Sequence, residues 1–342
     1  MSNEQVILSS QETTALYCRL AALEKRAQDL QALFNQLQAE AVLPPDEFLF
    51  IFAADTGEQN ANQDLLKTRI DDDNAHAFLL GGDNTYTNPG DQTTYNADVA
   101  FADAYSNICR TFPAIGNHDL DPDPSSLTQF NKFTHLPGNR RYYSKYFPHT
   151  GVELFVLNSG RDSGGTLDEP DGNSVGSIQW QWFDQAVSQS KAKWKIVMFH
   201  HPFISAQAGA SAGSQYLTEM NWDFDQYGVD LILNGHNHIN AHLLFNDIDL
   251  VNVSCPVRDC RQHTSQAQPY GGGEFVYLDD RAGDRRGLPA YVKMFINQDR
   301  IRVEFWDTAT DSPFHCFTIT NCVQFPVDPI CPDESYCSPC QV

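Results

Sequence analysis

Positive charge is what this chain has least of. Lys and Arg number 22 against 44 Asp and Glu, a formal charge of −22. Binding a nucleic-acid backbone needs clustered cations, so nucleic acid is not expected as a partner. A small phosphorylated substrate stays open, because a bound metal can set the charge of a single pocket. No apolar run reaches the roughly 18 residues of a membrane helix, so no membrane span is expected. The opening "MSNEQVILSSQETT" has neither a basic n-region nor a long apolar h-region, so a standard secretion signal is not expected either. Nine cysteines in 342 residues are too few and too spread for a scaffold held by disulfides alone. Hydrophobic residues at 41%, with 12% aromatics, are ample for a packed core.

The most regular stretch comes early. Leu16, Leu20, Leu23, Ala27, Leu30, Phe34, Leu37 and Ala41 alternate spacings of four and three, an unbroken heptad seam. An amphipathic helix packed on its own domain is the competing reading, and strict 3.5-residue periodicity favours self-association. Ala27 and Ala41 leave room at the axis and Phe34 fills a wider one, so a trimer is favoured over a dimer. Pro44 and Pro45 end the helix.

Beyond them the chain alternates. Segments 47–55, 77–83, 111–119, 152–160, 193–202 and 229–238 each run apolar and then turn polar, with helix-like stretches at 91–109 and 177–190 between some of them. Continuously apolar strands separated by helices indicate an α/β layered core, with sheets buried on both faces. Residues 290–307 alternate around Asn297, Gln298 and Asp299, a hairpin that closes the domain.

The last of the six runs ends in His236 and His238. In extended backbone the two rings share a face, so they can converge on one point. Taken alone, the pair fits a metal site and two unrelated turn histidines equally well. The other strand ends break the tie, because Asp55, Asp83, Asn117 and His200 occupy equivalent places. Ligands gather at the carboxyl ends of strands in open α/β sheets. One such residue is ordinarily a cap or a turn former. Five strand ends flanked by Gly57, Gly81, Gly82, Gly116 and Gly235 are hard to explain that way. Carboxylates, an amide oxygen, imidazoles and a phenol suit a pair of transition-metal ions, which can clamp both oxygens of an in-line phosphoryl displacement.

"DTG" (55–57), "GDNTY" (82–86), "GNHD" (116–119), "VMFH" (197–200) and "GHNH" (235–238) resemble, in order, the blocks of the calcineurin-like metallophosphoesterases, and the second block resembles the purple acid phosphatase branch. The resemblance implies a layered βαβ sandwich of two sheets flanked by helices. It implies a first metal on Asp55, Asp83, Tyr86 and His238, and a second on Asp83, Asn117, His200 and His236, with Asp83 bridging. Tyr86 implies Fe(III) at the first site, and Fe(II), Zn(II) or Mn(II) is implied at the second. The implied reaction is phosphomonoester hydrolysis by metal-bound hydroxide, with His118 contacting phosphate and protonating the leaving group. Asn117 and His201 are further candidates for substrate contact. His201 lies one residue from a ligand, which in a strand turns it to the opposite face. His76, His135, His149, His242, His263 and His315 match no block and read as surface residues, with His135 or His263 the candidates to reach the pocket mouth. Ala54 stands where relatives carry Gly, and Ile239-Asn240-Ala241 replaces a Tyr-Glu-Arg run, so substrate preference does not carry over.

The expected organisation is a leader (1–12), a coiled-coil helix (13–43), a catalytic domain (44–312) and a cysteine-rich tail (313–342). Cys337 and Cys340 could form half of a zinc site. Disulfides among Cys316, Cys322, Cys331, Cys337 and Cys340, and between Cys255 and Cys260, are the favoured reading. They point to an extracellular, surface or virion location, and the missing signal to the cytoplasm. Two alternatives to a phosphomonoesterase stand: a phosphodiesterase of the same chemistry, and a structural component of an oligomeric assembly.

Overall fold

The computed structural model describes residues 26, 47–86, 105, 109–120, 133–160, 169–209 and 217–320. Its two compact units are Met1–Glu47 and Phe48–Val342. In the first unit only Arg26, helical and exposed, and Glu47 are described. The heptad seam and the oligomer expected of it therefore lie outside the described residues. So do most of 91–109 and all of the tail beyond Thr320.

The second unit carries two sheets. Strands β1 (Phe48–Ala53), β2 (Ala77–Leu80) and β3 (Thr111–Pro113) run parallel in one of them. After Phe48, every residue of these three strands is buried, as a sheet covered on both faces requires. Strands β4 (Tyr143–Phe147), β5 (Val152–Val156), β6 (Trp194–Met198) and β7 (Leu231–Asn234) belong to the other sheet, with β5, β6 and β7 parallel. β8 (Asn240–Phe245), β9 (Ile248–Val253) and β10 (Glu274–Leu278) extend it, and β11 (Ala290–Ile296), β12 (Arg300–Asp307) and β13 (Ser312–Thr320) extend the first. The orders are β13-β12-β11-β1-β2-β3 and β10-β8-β9-β7-β6-β5-β4.

Two helices are described in full. Helix α1 (Ala61–Asp73) starts at Asn60, whose side-chain oxygen accepts from the backbone N–H groups of Asn62 and Gln63. Helix α2 (Ile178–Gln189) starts at Ser177, whose hydroxyl accepts from the Trp180 N–H, and it buries Phe183 and Val187 in the core of the second sheet. That core packs Phe183 edge-on to Phe155 and tilted against Trp222, at 5.6 and 5.5 Å between ring centres.

The expected hairpin at 290–307 is present as β11 and β12, but it does not close the sheet. Positions 313–320, read from sequence as tail, form most of β13 and pair with β12 along its length. Cysteine content drew that boundary, whereas the alternating burial of Phe317 and Ile319 marks a strand. A disulfide joins Cys255 and Cys260. Cys316 is also disulfide-bonded. No described helix is long and apolar enough to cross a membrane.

Candidate metal centre

Every proposed donor lies just past a strand. Asp55 follows β1, Asp83 and Tyr86 follow β2, Asn117 follows β3, His200 follows β6, and His236 and His238 follow β7. Both sheets therefore deliver their carboxyl ends to one place. Asp55, Asp83, His236 and His238 have positive φ, at 58°, 54°, 72° and 51°. Left-handed backbone is costly for such side chains and persists where the surroundings over-determine it, commonly at functional sites. Glycines make the crowding feasible. A Cβ on Gly116 would collide with the Asp83 backbone and carboxylate, and one on Gly235 would lie 2.8 Å from Asp55 Oδ2.

The donors fall into two touching groups. In the first, the Tyr86 hydroxyl donates to Asp55 Oδ1 (2.9 Å) and lies 3.0 Å from His238 Nε2. In the second, Asn117 Oδ1 lies 3.1 Å from His200 Nε2 and 2.9 Å from His236 Nδ1. Asp83 Oδ1 is 3.3 Å from His200 Nε2. Donor atoms of Asp55, Asp83 and His200 all fall within 4.8 Å of one another, with the three residues buried.

The hydrogen bonds show that this cluster fits a cation. His200 Nδ1 donates to the Gly81 carbonyl (2.8 Å), which can only accept. Were the ring neutral, a lone pair at Nε2 would face Asn117 Oδ1 and Asp83 Oδ1, which are acceptors too. Positive charge is what such a convergence lacks. Burial works against a charged His200, yet Asp83 and Asp55 override it and lift its pKa to about 9. Burial would likewise raise the Asp83 carboxyl, but His200 and His118 hold it far below the usual carboxylate range. For the Tyr86 phenol, burial and then Asp55 and Asp83 push the pKa well above the ordinary 10.0, while Arg258 pulls it down. A carboxylate-rich pocket with a phenol suits a hard, highly charged cation.

Surrounding groups fix the donors. The backbone N–H of His118 donates to Asp83 Oδ1 (2.9 Å), and that of His236 to Asp55 Oδ2 (2.8 Å). Asp119 accepts from Gly116 N (2.8 Å), Asn84 N (2.9 Å) and Asn84 Nδ2 (3.0 Å), tying the loops after β2 and β3 together. Burial, then the charge of Asp83, raises the Asp119 pKa to about 7. Asn252 Nδ2 donates to the Gly235 carbonyl (2.8 Å). Motif reading assigned no role to Asp119 or Asn252. Asp119 stood inside the third block, whereas Asn252 lies near the end of β9 with no sequence signal.

His118 is partly exposed, with its ring 4.7 Å from Tyr86. His201 departs from the alternation expected of a strand. β6 stops at Met198, so His200 and His201 both turn toward His236, at ring-centre distances of 5.2 and 4.1 Å. His201 Nδ1 is 2.8 Å from the Ser159 hydroxyl, and the residue is 3% exposed. His242 is not at the surface: it is fully buried, with Nε2 2.7 Å from Asp249 and Nδ1 3.1 Å from His315. His135 bonds the Thr111 carbonyl at the start of β3, the end away from Asn117. Beside His238 opens a cleft of about 630 Å³, walled by Glu58, Asn60, Asn62, Arg258 and Arg261 among others.

Two sheets delivering carboxylates, imidazoles and a phenol from their strand ends define the α/β sandwich of a metallophosphoesterase. The sequence profile of the calcineurin-like phosphoesterases matches residues 26–240, and the chain belongs to that family. No curated protein matches its sequence. Among solved structures it is similar to a purple acid phosphatase isolated from yellow lupin (Lupinus luteus) seeds, at 15% identity and a TM-score of 0.60, covering 80% of this chain. It spans only 54% of the lupin chain. It is also similar to GAP50, the anchor in the inner membrane complex of Plasmodium, at 11% identity and a TM-score of 0.58, covering 79% of this chain and 88% of that one. At such identities the likeness concerns the fold. The chemistry rests on this chain's own residues.

Proposed function

We propose that the protein is a dinuclear metal-dependent phosphomonoesterase. The observation that carries this reading is Asp83, which sits between two donor groups. Asp55, Tyr86 and His238 form one group, and Asn117, His200 and His236 form the other. Asp83 belongs to both sites. Tyr86 supports Fe(III) in the first, because a phenolate is a hard anionic donor, with Fe(II), Zn(II) or Mn(II) in the second. Two cations held there supply Lewis-acid stabilisation of phosphoryl charge and a nucleophile at neutral pH.

The chain's own groups do the rest. His118, partly exposed beside Tyr86, holds a phosphate oxygen and carries the proton for the leaving group. His201 is too enclosed for a substrate contact and instead packs His236 into place. The heptad seam at 16–41 is proposed to assemble the chain, with a trimer favoured. The likeness to a protein described as an anchor keeps a structural role in view, and the full donor set favours an enzyme.

Metal analysis should find about two ions per chain, at least one of them iron. A visible phenolate-to-iron absorption should vanish in Tyr86→Phe. The protein should hydrolyse p-nitrophenyl phosphate faster than bis(p-nitrophenyl) phosphate. A single zinc per chain, or preference for the diester, overturns the reading.

A further inference from the structure

One loop outside the sequence blocks touches Tyr86 and His238 of the first proposed metal site and the segment that follows Asp55. It runs through Cys255 and Cys260, which the disulfide closes with a Cα–Cα distance of 5.2 Å. From this loop the Arg258 guanidinium lies over the Tyr86 ring, 3.6 Å from its centre. The same guanidinium pairs with the carboxylate of Glu58, in the loop that begins at Asp55. One residue past the bridge, the Arg261 N–H donates to the His238 carbonyl (2.6 Å). Asn60, the cap of α1, donates from Nδ2 to the Val257 carbonyl (2.8 Å) and anchors the loop from outside.

Arg258 shares no hydrogen bond with the metal donors and acts on Tyr86 through its ring face. A planar guanidinium stacks on an aromatic ring in a way an ammonium does not. It also places fixed positive charge against a ring that must carry negative charge once it ligates a cation. It pairs with Glu58 at the wall of the cleft. Groups packed around a first ligand commonly set how well that ligand holds its metal.

Resting on the dinuclear reading above, we propose that Arg258 is a positioning residue for the Tyr86 phenolate, clamped by Glu58 and the disulfide-closed loop, and that it controls metal retention at the first site without affecting the second.

The test compares wild type with Arg258→Met, Arg258→Lys and Glu58→Gln, each loaded with metal and transferred into a chelator. Release of the two ions is followed separately by metal analysis. In Arg258→Met, one of the two ions should leave about ten-fold faster, in the range that losing a ligand's neighbour produces, with the other unchanged. Arg258→Lys, which keeps charge but not the stack, and Glu58→Gln, which frees the guanidinium, should fall between. Where iron is present, the visible band of Arg258→Met should also shift. Thermal melting of the metal-free variants should match wild type, which separates positioning from folding. If Arg258→Met releases both ions at wild-type rates, or both equally fast, the proposal is wrong. If wild type never holds two ions, the dinuclear reading itself fails, and the proposal with it.

Discussion

Asp83 and His118 lie three and five positions past the ends of β2 and β3, and their jobs differ. Asp83 is buried, lies between the two donor groups and accepts the His118 N–H. Replacing it with Asn removes the one anion common to both proposed sites, so Asp83→Asn should leave less than one metal per chain. The hydrogen bond from His118 to Asp83 comes from the His118 backbone N–H, so His118→Ala should keep both metals. Turnover should still fall about 10²–10⁴-fold, the usual worth of a general acid–base group. Metal analysis beside a p-nitrophenyl phosphate assay separates the two, and equal metal loss in both variants contradicts this division of roles. At this scale the seven proposed donors could be picked out because they recur at strand ends with glycine beside them. Arg258 and Glu58 were not, since a ring stack between distant loops leaves no spacing to read.

Loops and strands make the next predictions. Gly116→Ala should abolish metal binding, because the new methyl would occupy the Asp83 carboxylate's place. Gly138→Ala is the control: φ is 62°, but the nearest atom to a Cβ there is 3.8 Å away. It should cost about 1 kcal/mol from left-handed backbone and leave the metals alone. Strand β13 carries a pH dependence. Burial, then the neighbouring His242, lowers the His315 pKa from 6.5 to about 3. In the unfolded chain that imidazole takes a proton as pH drops below 6.5, while the folded chain resists until about 3. Its contribution is thus complete above 6.5 and is lost as pH falls through that window, on the order of 2–4 kcal/mol in all. His315→Gln should flatten the slope of stability against pH between 6.5 and about 3, measured by urea melts. An unchanged slope means that other groups carry the acid sensitivity.

At the scale of the whole chain, removing residues 1–43 should convert an oligomer into a soluble monomer with unchanged turnover. The donors all lie in the second compact unit, which begins at Phe48. Light scattering of the full chain and the truncated one decides it, and a full-length monomer at micromolar concentration ends the oligomer idea. The parallel halves of both sheets were readable because strands buried on both faces are uniformly apolar. Their antiparallel additions were harder. β10 is largely half-exposed, and β4 carries Lys145 and Tyr146 toward solvent, so neither stands out as a hydrophobic run. That β7 pairs with β9 rather than with its successor β8 is a long-range choice no local pattern states.

The contact between the His236 N–H and Asp55 joins residues 181 positions apart. Closing so long a stretch of chain is slow, and it cannot precede the sheets that deliver both ends. An ion therefore has nothing to grip until folding is nearly finished. Added metal should leave the refolding rate almost unchanged and act as a brake on unfolding, since it stabilises contacts absent from the transition state. On the dinuclear reading the centre would be a latch set after the door has shut, lengthening the lifetime of the native state without guiding the chain toward it.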